Sequence, residues 1–248
     1  MVAIRTQEEI ELLRQAGHIV AKCHQAVKNS VAPGIRSIEL DQLVEDVILS
    51  YGAYPIFKGY RNFPSATCIS VNDGVVHGIP SDRVLNQGDI VSVDIGVKYK
   101  NYISDSAWTY PVGEISSERS YLLRHTEQAL WTGLRVIKEG IHLSDISHAI
   151  GSYAQAHNLS VVKELTGHGV GTELHEDPYV LNYGKPHRGI ILKAGMVLAI
   201  EPILNMGDAA IRTLKDGWSI VTKDGQDSAH FEHTIAVTKE GFTVLSTL

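Results

Sequence analysis

Leu85-Asn86-Gln87-Gly88-Asp89-Ile90-Val91-Ser92-Val93-Asp94 is answered further along the chain by Leu192-Lys193-Ala194-Gly195-Met196-Val197-Leu198-Ala199-Ile200-Glu201. In each segment a leucine, a glycine and an acid keep the same spacing, and the two segments are offset by 107 residues. From Ile90 to Val97 the apolar residues Val91, Val93, Ile95 and Val97 alternate with Ser92, Asp94 and Gly96, the period of a strand whose two faces differ. Met196 to Ile200 is a nearly unbroken apolar strand, closed by Glu201 and by Pro202, which has no N–H to give to a ladder. Each half of the chain therefore brings one acid to the same place on a strand.

The flanking segments repeat the plan. Thr6 and Glu9 make a capping-box signature, and Ile10, Leu13, Ile19, Val20, Cys23 and Val27 behind them keep helical spacing up to Pro33-Gly34. Ser37 is expected to cap a second helix with Leu40, Leu43, Val44, Val47 and Tyr51 on one face and Gly52 closing it. An aromatic loop (Phe57, Tyr60, Phe63) then leads to a short strand, Thr67 to Val71, and to His77-Gly78-Ile79-Pro80. From about Ser117 a second long helix runs to Lys138, and Gly140-Ile141 leads to a helix capped at Ser144 as Gly34-Ile35 leads to Ser37. The expectation is an α+β chain forming one domain over residues 1–248, with pseudo-repeats of about 1–115 and 116–248, a continuous sheet and a ligand between the halves.

Composition narrows the function. A hydrophobic fraction of 44% in 248 residues suits a packed globular core. A net charge of −6 without any lysine or arginine cluster gives no footprint for nucleic acid or an anionic membrane. Only Cys23 and Cys68 are present, which argues against a disulfide scaffold, and no apolar run approaches the roughly 20 residues of a membrane span. The N-terminus lacks the apolar core of a signal peptide, so a soluble cytoplasmic protein is expected.

Thr166 to Pro178 carries His168 and His175, with glycines at 167, 169 and 171 around the first of them. A phosphate-cradling glycine loop is the competing reading, but with no Gly-Lys-Ser/Thr and no strong helix pattern following, His168 reads instead as presented to a ligand. Asp94 and Asp105 flank a turn at Lys98 to Asn101. If paired residues sum to 199, the two acids lie directly opposite with Cβ atoms about 5 Å apart and repel one another unless one is protonated or a cation lies between them. Glu201 sits against a strand too apolar to leave it in water, and alternation in His230 to Val237 places His230, Glu232 and Thr234 on one face. Lysine and arginine are scarce around all four acids. A pair of divalent ions held by four carboxylates and His168 is the more economical partner, and the oxygen-rich set suits manganese, iron or cobalt better than a structural zinc.

In order and in context, these residues resemble the ligand set of type I methionine aminopeptidases: Asp94 in Val-Asp-Ile-Gly, Asp105 in Ser-Asp-Ser-Ala, His168 in Thr-Gly-His-Gly-Val-Gly, Glu201 in Ile-Glu-Pro and Glu232 in Phe-Glu-His-Thr. The likeness covers nearly the whole chain. It implies the pita-bread fold of creatinases and aminopeptidases, two pseudo-symmetric helix-strand halves around a curved antiparallel sheet. It also implies two divalent ions (cobalt, manganese or iron, with zinc a further option). Asp94 would bind one, Asp105 and Glu232 would bridge both, and His168 and Glu201 would complete the other. His77 and His175 match the family's two substrate-facing histidines, His175 donating to the scissile carbonyl oxygen, and Glu201 would carry the proton to the leaving amine. The methionine pocket carries over to Tyr60, Phe63, Cys68 and Trp218, with Phe57 where some relatives have cysteine and Leu174 where some have phenylalanine. His230 stands where glutamine is frequent.

The likeness implies removal of an N-terminal methionine, from newly made proteins and short peptides, when the second residue is small. The chain's own Met1-Val2 would qualify. A monomer is expected, with transient ribosome contact, no N-terminal extension and no room for the insertion of type II enzymes. An X-Pro aminopeptidase or prolidase shares the five ligands but usually carries another N-terminal domain. Non-catalytic peptide-binding relatives typically lose ligands that are all present here.

Overall fold

A computed structural model describes residues 2–247; Met1, and with it half of the Met1-Val2 start, lies outside the described residues, as does Leu248. The first half comprises α1 (Gln7–Ser30), α2 (Ser37–Ser50), β1 (Tyr54–Pro55), a 3₁₀ turn at Tyr60–Asn62, β2 (Thr67–Val71), β3 (Gly74–Val76), β4 (Ile90–Tyr99) and β5 (Tyr102–Pro111). The second comprises α3 (Ser117–Arg135), α4 (Leu143–Ala156), β6 (Ser160–Val161), β7 (Gly167–Gly169), β8 (Glu176–Val180), β9 (Val197–Ile200), β10 (Ile203–Asn205), β11 (Ile211–Thr213), β12 (Ile220–Thr222), β13 (Ser228–His230), β14 (His233–Val237) and β15 (Phe242–Val244).

The two halves repeat each other bond for bond where the sequence repeats. Gly34 donates to Leu85 O at 2.8 Å and Gly140 to Leu192 O at 2.9 Å, while Leu85 and Leu192 return bonds to Ile35 and Ile141, each at 2.8 Å. Gly88 and Gly195 both adopt φ of +92°, which a side chain resists. Both leucines are fully buried, a burial contributing roughly 1.5–3 kcal/mol each. Apolar faces of α1 and α2 pack on β2 and β4, and those of α3 and α4 pack on β9 and its neighbours.

The continuous sheet expected from the sequence is not one ladder: among the described residues the strands pair antiparallel in four hydrogen-bonded pieces, β1-β4-β2 with β5 on β4, β15-β14-β9-β7-β8, β13-β10-β6 and β11-β12-β3, because the strands break where the acids turn inward. The pieces meet at the centre through hydroxyl side chains and isolated backbone bonds, such as Ile103 N–H to Gly171 O at 2.7 Å, rather than through a ladder. Thr234 Oγ1 accepts from Asp105 N–H at 3.0 Å and donates to Asp105 O at 2.7 Å, Ser106 Oγ donates to Glu232 O at 2.7 Å, and Thr109 Oγ1 donates to His230 O at 2.9 Å. Hydroxyls thus stitch β5 to the second half.

Four local expectations change. The β4–β5 hairpin pairs Tyr99 with Tyr102 and Gly96 with Asp105, so Asp94 faces Ala107 and the two aspartates are diagonal instead of opposite. Its turn is only Lys100-Asn101, with φ of 47° and 69°, the two-residue left-handed turn that matches strand twist. The helix caps are Arg36 and His142, not Ser37 and Ser144. Glu39 accepts from Arg36 N–H at 2.9 Å and Asp145 from His142 N–H at 3.0 Å, which frees the serine hydroxyls to accept from Ser81 N–H (2.9 Å) and Arg188 N–H (2.7 Å). The helix expected to reach Lys138 ends at Arg135. His230 to Val237 is not one strand: it breaks at Phe231-Glu232, where Glu232 N–H turns to Ala107 O at 2.8 Å, opposite the break at Glu201-Pro202 between β9 and β10.

Candidate active site and metal centre

Every site residue anticipated from the sequence lines one cleft of about 280 Å³, joined there by Arg61 and Tyr179. Its floor is acidic. The hairpin supplies Asp94 and Asp105, the break after β9 supplies Glu201, the break before β14 supplies Glu232, and β7 supplies His168. Ligand atoms of Asp105, His168 and Glu232 all lie within 4.8 Å of one another. His168 Nε2 stands 3.5 Å from Glu201 Oε1 and 3.9 Å from Asp105 Oδ2. Its Nδ1–H donates to Gly169 O at 2.9 Å, which turns the Nε2 lone pair toward the carboxylates.

The charge on this floor is uncompensated by protein. Asp94 Oδ1, Asp105 Oδ1 and Glu232 Oε1 are buried with no hydrogen-bond partner, and among the described residues no lysine or arginine pairs with any of the four acids. Burial, reinforced by the neighbouring acids, holds Asp94, Glu201 and Glu232 well above the usual carboxylate range, and burial pushes Asp105 up to about 7. Four acids and an imidazole in this state lack only a cation, and hard divalent ions take such an oxygen-rich set. The residues fit a metal centre.

His230 adds to the floor. Its Nε2 lies 3.5 Å from Glu201 Oε2 and 3.9 Å from Glu232 Oε2, and burial pushes it down to about 3, so a neutral ring backs both glutamates. The alternation expected to put it beside Glu232 presumed a single strand; the two meet across the break between β13 and β14 instead. Arg61 and Tyr179 carried no such signal: one follows Tyr60 in the aromatic loop and the other lies beyond His175 in β8.

The walls are apolar on one side. Phe57, Phe63, Cys68 and Leu174 are buried and pack with Tyr60 and Trp218; Phe63 meets Trp218 edge-on at 5.1 Å. Cys68 pairs across the ladder with Asp94, so the pocket opens onto the acidic floor. His77 sits edge-on to Trp218 at 6.3 Å in left-handed backbone (φ 56°), and the next residue, Gly78, lies against Ile69 O with no room for a Cβ. His175, at the mouth, is 4.4 Å ring to ring from His168, and its Nδ1 faces the Tyr60 hydroxyl at 2.9 Å. Desolvation inside the cleft, with His168, Arg61 and His77 nearby, pushes it down to about 3. In the tautomer in which the Tyr60 hydroxyl donates to Nδ1, a neutral His175 carries its own proton on Nε2 and keeps it as a donor.

These features define a metallopeptidase. The chain belongs to metallopeptidase family M24, whose model matches residues 11–239. Within it the chain sides with the bacterial type I methionine aminopeptidases of pita-bread fold. It is 52% identical over 246 residues to methionine aminopeptidase 1 of Bacillus subtilis, covering 99% of both chains. It superposes on the crystal structure of methionine aminopeptidase from Thermotoga maritima with a TM-score of 0.99 at 42% identity, covering 100% of each. Against the prolidase from Pyrococcus furiosus the TM-score is 0.78 at 24% identity, and only 65% of that chain is covered, a likeness of fold.

Proposed function

We infer that this chain removes the N-terminal methionine of nascent proteins and peptides whose second residue is small, and that Asp94, Asp105, His168, Glu201 and Glu232 hold two divalent ions for the purpose. The observation that carries the reading is the set of buried, partnerless carboxylate oxygens beside His168, in one cleft with the apolar walls Phe57, Phe63, Leu174 and Trp218. Cobalt, manganese or iron fit the donor set, with zinc a further option. When bound there, divalent ions supply Lewis-acid polarisation of the scissile carbonyl and a more acidic water.

The protein's own groups do the rest. Tyr60, Phe63, Cys68, Trp218, Phe57 and Leu174 enclose the methionine side chain, with sulfur–aromatic contacts of roughly 0.3–1.5 kcal/mol each. The α-amino group enters beside Asp94, which limits cleavage to one residue. Glu201, its pKa raised by burial and by Asp105, accepts a proton from the attacking water and delivers it to the leaving amine. His175 Nε2–H donates to the carbonyl oxygen as charge develops. His77 and the loop leading to it crowd the space beyond the scissile bond, which keeps the second residue small.

The matched bonds of the two halves support one catalytic domain over 1–248 with pseudo-repeats of about 1–115 and 116–248. We propose a monomer acting in the cytoplasm, where nascent N-termini emerge, in transient contact with the ribosome; no helix of the described residues is long and apolar enough to cross a membrane. The test is steady-state assay of metal-loaded protein on Met-Ala-Ser, Met-Lys-Ser and X-Pro peptides. Met-Ala-Ser is expected to be cleaved far faster than either. Equal rates on Met-Lys-Ser, or faster turnover of X-Pro peptides, would overturn the reading.

A further inference from the structure

The third glycine of the 167–171 run has no part in the metal centre. Gly171 lies against the guanidinium of Arg5, and a Cβ there would collide with Arg5 Nη2. The same Nη2 donates to both carboxylate oxygens of Glu176, at 2.7 and 2.6 Å, in a pair whose side chains are only 11% and 16% exposed. Glu176 Oε1 in turn accepts from Thr172 N–H at 2.9 Å and Glu173 N–H at 3.2 Å. One carboxylate therefore closes the segment from Thr172 to Glu176, and Leu174 and His175 lie inside the closure. Arg5 itself is fixed, its backbone N–H donating to Gly195 O at 2.8 Å.

We propose that Arg5 is a positioning residue for catalysis: through Glu176 it holds the loop that aims His175 at the substrate carbonyl. The inference rests on the reading of His175 as the oxyanion donor. Arg5 does not line the cleft; among the described residues its guanidinium reaches, apart from Glu176, only Glu9 of α1, Nη1 to Oε1 at 3.5 Å, so any effect on turnover has to pass through the loop that Glu176 closes. A group held this way must be aimed within a fraction of an ångström to stabilise charge that exists only in the transition state. Lysine at position 5 keeps the charge but loses the planar fork of the guanidinium.

The experiment is a double-mutant cycle on metal-loaded protein with Met-Ala-Ser, reading kcat, KM, bound metal and Tm for Arg5→Gln, Arg5→Lys, Glu176→Gln, His175→Ala and Arg5→Gln/His175→Ala. Arg5→Gln and Glu176→Gln are expected to lower kcat about tenfold with KM and metal content unchanged, and Arg5→Lys to recover part of the loss. In the His175→Ala background, Arg5→Gln should cost nothing further in kcat. An undiminished Arg5→Gln effect in that background overturns the proposal, as does a loss of Tm or bound metal with kcat per folded, metal-loaded chain unchanged. If His175→Ala alone leaves kcat intact, the donor role of His175 has failed first and the clamp falls with it.

Discussion

The two halves deliver carboxylates to the same floor by different means. In the first, β4 and β5 form an unbroken ten-residue hairpin ladder, and short aspartates on it reach the centre. In the second, the strands break at Glu201-Pro202 and at Phe231-Glu232, and longer glutamates reach in from the breaks. The bonds between the matched connections are otherwise the same. The hairpin behaves as a rigid scaffold, while the second half gives up ladder bonds to turn its acids inward and relies on side-chain hydroxyls to hold them.

If the halves are equal partners in the metal centre, neutralising an acid of either should fail alike. Asp105→Asn and Glu232→Gln are both expected to lower activity beyond the ~10²- to 10³-fold typical of one lost oxyanion donor, with loss of bound metal. Metal analysis beside the Met-Ala-Ser assay checks this. Full activity in chelator-treated protein would break the comparison outright.

The next contrast lies within the second half, between two imidazoles 4.4 Å apart. His175→Ala should reduce kcat by about 10²- to 10³-fold with bound metal and KM nearly unchanged, because a donor to developing charge acts in the transition state. His168→Ala should lose metal. Bound metal per chain at matched free metal decides, and the reverse outcome would exchange the two roles.

The legibility of the sequence follows the same division. Alternation in Ile90 to Val97 and the 107-residue offset reveal the halves, because strand period and glycine-leucine bonding are local and leave a local mark. The hairpin register escaped, since the left-handed turn at Lys100-Asn101 uses no glycine and the strands could be drawn with a longer loop. The break at Phe231-Glu232 escaped as well. Its partner is more than a hundred positions away: Ala107 O takes the Glu232 N–H that a continuous strand would have spent on its neighbour. His77, His175 and the pocket walls were reached through family likeness; nothing in their spacing shows that Tyr60 and His175 meet.

A subtler test concerns the hydroxyls at the seam. Ser106→Ala removes the donor to Glu232 O, and Thr234→Val removes both bonds to the Asp105 backbone. Each leaves a buried polar group unsatisfied, at about 1–3 kcal/mol. Asp105 remains in the ladder opposite Gly96 after Thr234→Val, whereas Glu232 lies outside any ladder. Ser106→Ala is therefore expected to weaken metal binding more, within the ~10- to 100-fold range of outer-sphere partners, despite removing fewer bonds. Metal titrations of the two variants rank them, and the opposite order would mean that the breaks are as stiff as the hairpin.

The smallest effect belongs to the back of the first half and leaves turnover at neutral pH aside. His24 of α1 is buried, with Nε2 3.0 Å from Ser106 O and Nδ1 2.9 Å from the Tyr110 hydroxyl, so it ties the helix to the hairpin as a neutral ring. Burial pushes its pKa from 6.5 down to about 3, partly opposed by the bond to Ser106 and aided by His233. The folded pKa is depressed, so the unfolded chain binds the proton first. The stabilisation is complete above pH 6.5 and is lost progressively as pH falls toward 3, at up to about 1.4 kcal/mol per pH unit. Urea denaturation of the wild type and of His24→Gln between pH 7.5 and 4.5, at matched metal, isolates this slope because the other buried histidines titrate in both proteins. The variant should be less stable at pH 7.5 by about 1 kcal/mol for the altered bonding, yet lose stability less steeply on acidification, so that the two curves approach and cross before pH 4.5. Parallel curves across that range would show that His24 is not held neutral, and the hairpin's rear anchor would have to lie elsewhere along α1.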